Sequence, residues 1–222
     1  MLTAALLDLD WAARRVLGRG LRRDALVADG ADPDVPATFT TSVIRLPPGL
    51  ASRLEAVAAD VASIQPRQYV CPAGSIHVTL CGPLDDDVVT TDDALVDLRD
   101  VASRLRGGRL RVVRLGLGDT SVFAALEPVG MDFSGARREL ARRWAVPGRP
   151  GLAGPIASRL LWANLIRFVE PPSPALVTAL ARRRRASHSG FEVDAVELVR
   201  TNRAMGPDRT TVLGRVEVTT PA

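Results

Sequence analysis

The sequence predicts an α+β fold in which the second half repeats the element order of the first. Three observations predict it. Short β-branched runs with period-two alternation recur along the chain, and apolar residues at helical spacing separate some of them. Other strands follow one another directly, so the pattern is not a uniform strand–helix alternation. At 222 residues, 46% of them hydrophobic and 24% charged, the chain can hold one large domain or two small lobes with a sizeable core.

Residues 1–37 read as an amphipathic helix and a linker. Leu2, Leu6, Leu9, Ala13, Val16 and Leu17 recur at helical spacing, and "ADGADPDVPA" (Ala28–Ala37) has the Asp, Pro and Gly of a linker. The helix is expected to pack on the main domain or to serve as a contact for a protein partner or second copy.

The main domain is expected over 38–222. "TFTTSVIRL" (Thr38–Leu46) is a strand ended by Pro47-Pro48, and a helix follows to about Ile64. A short strand near Gln68–Cys71 leads to the strand Ser75–Cys81. A helix over Asp92–Leu105, capped by Thr91 or Asp92, precedes the strands "RLRVVRLGLG" and "SVFAALEP". Next come a helix over Asp132–Trp144, a Pro/Gly loop, the strand "RLLWANLIRFVEPP" (Arg159–Pro172) and a helix over Ser173–Arg185. Two strands, "FEVDAVELVRTN" and "RTTVLGRVEV", close the chain as a hairpin around "RAMGPD".

The composition narrows the chemistry. The net charge is +4, and all 29 basic residues are Arg, so a lysine nucleophile, a Schiff base and a P-loop lysine are excluded. Arg suits phosphate, because its planar fork pairs bidentately with oxyanions. Two cysteines, Cys71 and Cys81, form no CxxC or Cys/His cluster, so no metal site is expected. No GxGxxG or GxxxxGK[ST] occurs, and no cofactor is expected. The opening "MLTAALLDLDWAARR" lacks a basic n-region, and no run reaches the length of a membrane span. Free thiols and no membrane segment give a cytoplasmic protein as the expectation.

The candidate chemistry lies in "SIHVTLCGPL" (Ser75–Leu84). His77 and Thr79 are two apart on a strand, so they share a face, and Cys81 has the same parity. An imidazole beside a hydroxyl can move a proton and hold a phosphate oxygen. The other histidine, His188 in "RRRRASHSGF", reads as an exposed loop residue. Arg182–Arg185 read as a solvated helix end, complementing the helix dipole.

The strand ending in "VIRLPP", the helix after it, "IHVTL" some thirty residues on, and the terminal "VELVRTN…GPDRTTVLGRVEV" hairpin resemble the two-histidine phosphoesterases, which include 2'-5' RNA ligase-like proteins and cyclic phosphodiesterases. The resemblance spans roughly Phe39 to Val218. It implies two pseudo-symmetric lobes of antiparallel sheet with outer helices around a central cleft. It also implies a nucleotide or RNA-end phosphate as ligand and metal-independent opening of cyclic phosphodiesters. In that family each lobe supplies a His-x-Thr/Ser strand, one imidazole acting as base and the other as acid.

On the resemblance, His77 and Thr79 are the first, catalytic pair. The matching strand of the second half, "LLWANLIRF", places Asn164 at the second imidazole's position and Ile166 at the hydroxyl's, with Arg167 on the opposite face. Asn164, Arg203 and Arg209 are the expected substrate-binding residues. With the second motif degenerate, weak or altered catalysis is expected; the alternative is a non-catalytic phosphate-binding or protein-interaction module, a pseudoenzyme.

Overall fold

The computed structural model describes residues 11, 21–22, 39–84, 89–144, 161–184, 190–202 and 205–218. Its described strands form two antiparallel sheets. The first has the order β3-β1-β8-β9, from β1 (Phe39–Arg45), β3 (His77–Leu84), β8 (Ala195–Thr201) and β9 (Thr211–Glu217). The second has the order β2-β6-β5-β4-β7, from β2 (Tyr69–Val70), β4 (Arg109–Leu117), β5 (Ser121–Val129), β6 (Leu161–Arg167) and β7 (Phe191–Glu192). With helices α1 (Pro48–Ala62), α2 (Thr91–Ala102), α3 (Phe133–Arg143) and α4 (Pro174–Arg183), this is the α+β, two-lobed architecture expected.

Local chemistry explains where the helices start. Pro47-Pro48 stops β1, and Pro48 then occupies the first turn of α1, where a missing N–H is harmless. The Ser173 and Asp132 side chains accept hydrogen bonds from the Leu176 and Gly135 amides and so cap α4 and α3. Thr90 caps α2 by accepting from the Asp93 amide, one residue before the expected cap, because Asp92 and Asp93 already lie in the first turn facing the positive dipole end. Each helix buries one stripe: Leu50, Leu54, Ala58 and Val61 on α1, and Ala94, Leu98 and Val101 on α2. These stripes join Ile44, Val78, Leu126, Leu165 and Ile166 in one core shared by both sheets.

Three expectations change. The stretch "FEVDAVELVRTN" is not one strand: Phe191 pairs with Leu110 in the second sheet, whereas Ala195–Thr201 pairs with β1 in the first. The chain crosses between sheets at Val193 and Asp194. There the Val193 amide donates to the Gly108 carbonyl and the Asp194 carbonyl accepts from Val218. The arginine run is not uniformly solvated either. Arg184 is buried with its guanidinium 4.6 Å from the centre of the Trp11 ring, and Arg183 pairs with Asp60. The first sheet, finally, is completed by the last strands of the chain, so the lobes are not the two halves of the sequence.

The predicted N-terminal helix lies largely outside the described residues. Trp11 is helical and belongs to the core, and the Arg22 amide donates to the Asp119 carbonyl, which ties the segment to the domain at two points.

Gly82 has φ +140°, and a Cβ there would lie 2.3 Å from the Thr41 hydroxyl oxygen and 3.0 Å from its Cα. Gly82→Ala should therefore destabilise the domain by about 1–3 kcal/mol, measurable as a lower urea midpoint at unchanged slope.

Candidate functional site

His77 opens β3 directly after the short 3-10 turn Ala73–Ser75, whose Ser75 hydroxyl donates back to the Pro72 carbonyl. The turn aims the Ser75 carbonyl at the imidazole, and His77 Nδ1 lies 2.6 Å from it. Nδ1 therefore carries the proton and donates, leaving the Nε2 lone pair as acceptor. Burial lowers the imidazole pKa from 6.5 to about 4; the Ser75 carbonyl opposes that shift, and the positive charges of Arg45 and Arg167 add to it. At neutral pH His77 is an uncharged base.

Arg45 stands opposite His77 across the β1–β3 ladder, and Val43 opposite Thr79. Beyond Thr79 the register slips: Val43 faces Thr79 but the adjacent Ser42 faces Cys81, so Leu80 is the extra residue of a β-bulge. Leu80 and Cys81 both turn to the core. Cys81 therefore lies on the face away from His77, contrary to its parity in the sequence, and burial raises its thiol pKa to about 11. Arg137 of α3 holds the bulge, its Nε donating to the Leu80 carbonyl at 2.9 Å and a terminal nitrogen to the Thr79 carbonyl at 2.7 Å. Its guanidinium lies 4.9 Å from the centre of the Phe133 ring.

The same slip occurs in β6. Phe123 faces Asn164, but the adjacent Val122 faces Ile166, which makes Leu165 the extra residue. Leu165 and Ile166 both go to the core, and the Leu165 carbonyl accepts from the Cys71 amide at 2.9 Å. The bulge reverses two expectations. Ile166 is fully buried away from the cleft face, and Arg167, opposite Ser121 on β5, returns to the face that carries Asn164.

Superposing the bulges also changes the internal match. The pairs Val43–Thr79 and Arg45–His77 correspond to Phe123–Asn164 and Ala125–Trp162. Asn164 thus matches Thr79, the hydroxyl position, and Trp162 matches His77. An Asn amide can donate to an oxyanion as a hydroxyl does, whereas an indole neither takes up nor releases a proton near neutral pH.

Strands β3 and β6 meet between the sheets, and the charge of Arg167 acts on His77. Arg167 also hydrogen-bonds the Cys71 side chain, a buried thiol whose pKa burial pushes up to about 11, so neither cysteine is a nucleophile at neutral pH. Tyr69, opposite Arg167 across the β2–β6 ladder, has its hydroxyl pKa raised, mainly by burial. On the other flank Arg45 pairs with Glu197 at 3.1 Å and donates to the Gly74 carbonyl at 2.7 Å, and Glu197 also takes Arg215 at 3.4 Å.

The β8–β9 connection reaches this region. Met205, at φ 53°, packs on Val43 and Val199, with its amide bonded to the Asn202 side-chain oxygen, and a Cβ on Gly206 would lie 4.0 Å from the Tyr69 hydroxyl. Arg209, on the 3-10 turn Pro207–Arg209, is exposed. Arg203 and His188 lie outside the described residues. Among those described, no three His, Cys, Asp or Glu side chains gather to hold a metal, and no helix is long and apolar enough to cross a membrane.

Sequence reasoning missed Arg45, Tyr69, Arg137 and Trp162, and set Arg167 on the opposite face. A signal for two of them was present: the apolar doublets "LC" and "LI" break the alternation of β3 and β6 where the bulges fall. Arg167 directly follows the "LI" doublet, and Trp162 lies on the same strand shortly before it.

Two antiparallel sheets that meet along β3 and β6 give this chain a two-lobed fold similar to that of several solved structures. Among the similar solved structures, TT0787 of Thermus thermophilus shares 18% identity over 81% of this chain and 97% of its own, with a TM-score of 0.55. E. coli LigT complexed with 3'-AMP shares 18% over 82% of this chain and 99% of its own, also at 0.55. A conserved protein of unknown function from Agrobacterium tumefaciens shares 14% over 82% and 86%, at 0.54. At these identities the likeness is one of fold. No protein-family model and no curated protein matches the chain.

Because unfolded His77 titrates near 6.5 and the folded residue near 4, the unfolded chain binds more protons between those values. The stability contributed by neutral His77 is complete above pH 6.5 and is lost as pH falls toward 4. In His77→Gln the urea midpoint should therefore fall less than in wild type between pH 7 and pH 4.5.

Proposed function

We propose that the cleft between β3 and β6 binds nucleotide or RNA-end phosphates and opens 2',3'-cyclic phosphodiesters slowly, with His77 as its proton-transferring side chain. The observation that carries this reading is a neutral imidazole whose Nδ1 is bonded to the Ser75 carbonyl, which leaves Nε2 unprotonated, in the field of Arg45 and Arg167 and on the strand that meets the one bearing Asn164. The crystallised complex of a protein of the same fold with 3'-AMP supports the ligand class.

In the proposed reaction His77 Nε2 takes a proton from water, and the resulting hydroxide oxygen bonds to phosphorus. The bond from phosphorus to one ribose oxygen breaks, giving a monoester. Thr79 and Asn164 donate hydrogen bonds to the non-bridging oxygens, and Arg167 offsets their charge. Arg209, exposed on the β8–β9 connection, would contact the phosphate or a following nucleotide, and Arg203 stays a substrate-binding candidate on the resemblance alone. The departing ribose oxygen takes its proton from solvent, because the position matching His77 holds Trp162. Loss of one member of an acid–base pair forfeits about 10²–10⁴ in rate, so turnover is slow. The two buried free thiols, Cys71 and Cys81, suit a cytoplasmic setting.

A second reading, phosphate binding without catalysis, is favoured by Trp162 itself. Hydrolysis of 2',3'-cyclic AMP and calorimetric binding of 3'-AMP separate the two. The catalytic reading expects slow wild-type hydrolysis that drops about a hundredfold or more in His77→Ala, with 3'-AMP still bound. Binding with no hydrolysis leaves the binding module, and activity unchanged in His77→Ala removes His77 from catalysis. The pH profile of kcat/KM should rise along one limb with a midpoint near 4 and stay level through pH 8. A bell shape would show a second titrating group. Arg167→Met should weaken phosphate binding roughly tenfold or more, as loss of a charged hydrogen bond does.

A further inference from the structure

Trp162 is 37% exposed, and it is the only aromatic side chain among the large exposed hydrophobics of the described residues. The other two tryptophans, Trp11 and Trp144, are buried. The β5–β6 register puts Trp162 on the same face as Asn164 and Arg167. Fully buried Ala125 stands directly across the ladder, and Phe123 is its diagonal neighbour. The Phe123 ring lies so close over Gly116 that a Cβ there would come within 2.4 Å of it, so this second ring is pressed against its own sheet. The indole thus stands over the buried Ala125, and part of its surface is open to solvent on the face that carries Asn164 and Arg167.

Trp162 and Asn164 are two residues apart on one strand, about 7 Å at ordinary strand rise. That separation is the size of a ribose, and a ribose is what lies between a nucleobase and its phosphate. We propose that Trp162 is the base-binding residue of the cleft, stacking a nucleobase on its exposed indole while Asn164 and Arg167 face the phosphate. The inference rests on the nucleotide-phosphate reading above and deepens it by naming the side chain that would select the base and so reject sugar phosphates without one. A base has a π-face and a ribose phosphate has none, so the indole discriminates between them. Purines, with the larger ring system, are the preferred bases.

Calorimetry on the full chain with 3'-AMP, ribose 5-phosphate and adenosine tests this, with tryptophan fluorescence as a second readout. Wild type should bind 3'-AMP more tightly than ribose 5-phosphate, with quenching by the adenylate only. Trp162→Leu should lower 3'-AMP affinity roughly tenfold, the scale of one lost base stack, and leave ribose 5-phosphate binding unchanged. Trp162→Phe should restore most of the difference, and far-ultraviolet circular dichroism should match wild type in both variants. Equal wild-type affinity for 3'-AMP and ribose 5-phosphate overturns the stacking role, as does an equal loss for both ligands in Trp162→Leu. Adenosine binding that Trp162→Leu abolishes while ribose 5-phosphate fails to bind supports the stack and overturns the phosphate reading. No binding by any of the three ligands overturns both.

Discussion

Two β-bulges decide which side chains share a face with His77 and with Asn164. Each inserts one residue next to the polar positions of its strand, Leu80 in β3 and Leu165 in β6, and sends two consecutive apolar residues to the core. A bulge leaves a carbonyl unmatched by its ladder, and a buried carbonyl without a donor costs about 1–3 kcal/mol. The Leu80 carbonyl takes Arg137 of α3, whereas the Leu165 carbonyl takes the Cys71 amide, which continues the β2–β6 ladder by one residue.

The same cations serve two ends. Burial keeps His77 neutral, the charges of Arg45 and Arg167 add a smaller push the same way, and the two cations make the surroundings favourable for an anion. Glu197 tempers the arrangement by holding Arg45 and Arg215 against the first sheet.

Much of the fold was legible because its signals are local. Pro47-Pro48 ended one strand and began a helix, the apolar stripes of α1 and α2 marked their buried faces, and "IHVTL" marked β3. Pairing was not legible. Whether Cys81 or Arg167 faces the cleft depends on a slip against another strand, and a parity count from His77 or Asn164 carries no information about that slip. The split of "FEVDAVELVRTN" at Val193 depends likewise on which edge each part finds, as does the burial of Arg184 on the distant Trp11. The match of Asn164 to Thr79, rather than to His77, required the registers of two strand pairs.

Completion of the first sheet by β8 and β9 bears on the order in which the protein can form. Phe39 pairs with Thr201, and the Arg45 beside His77 is held by Glu197. During synthesis β1 and β3 leave the ribosome long before the strands that complete their sheet, so the flank of β1 that takes β8 waits unpaired while most of the chain is made. Contacts of such sequence separation form slowly and leave apolar edges open meanwhile. A truncated product lacking β8 and β9 would retain "IHVTL" but would lack the carboxylate beside Arg45. The flank of β1 that faces β8 is therefore among the parts of the first sheet that form late.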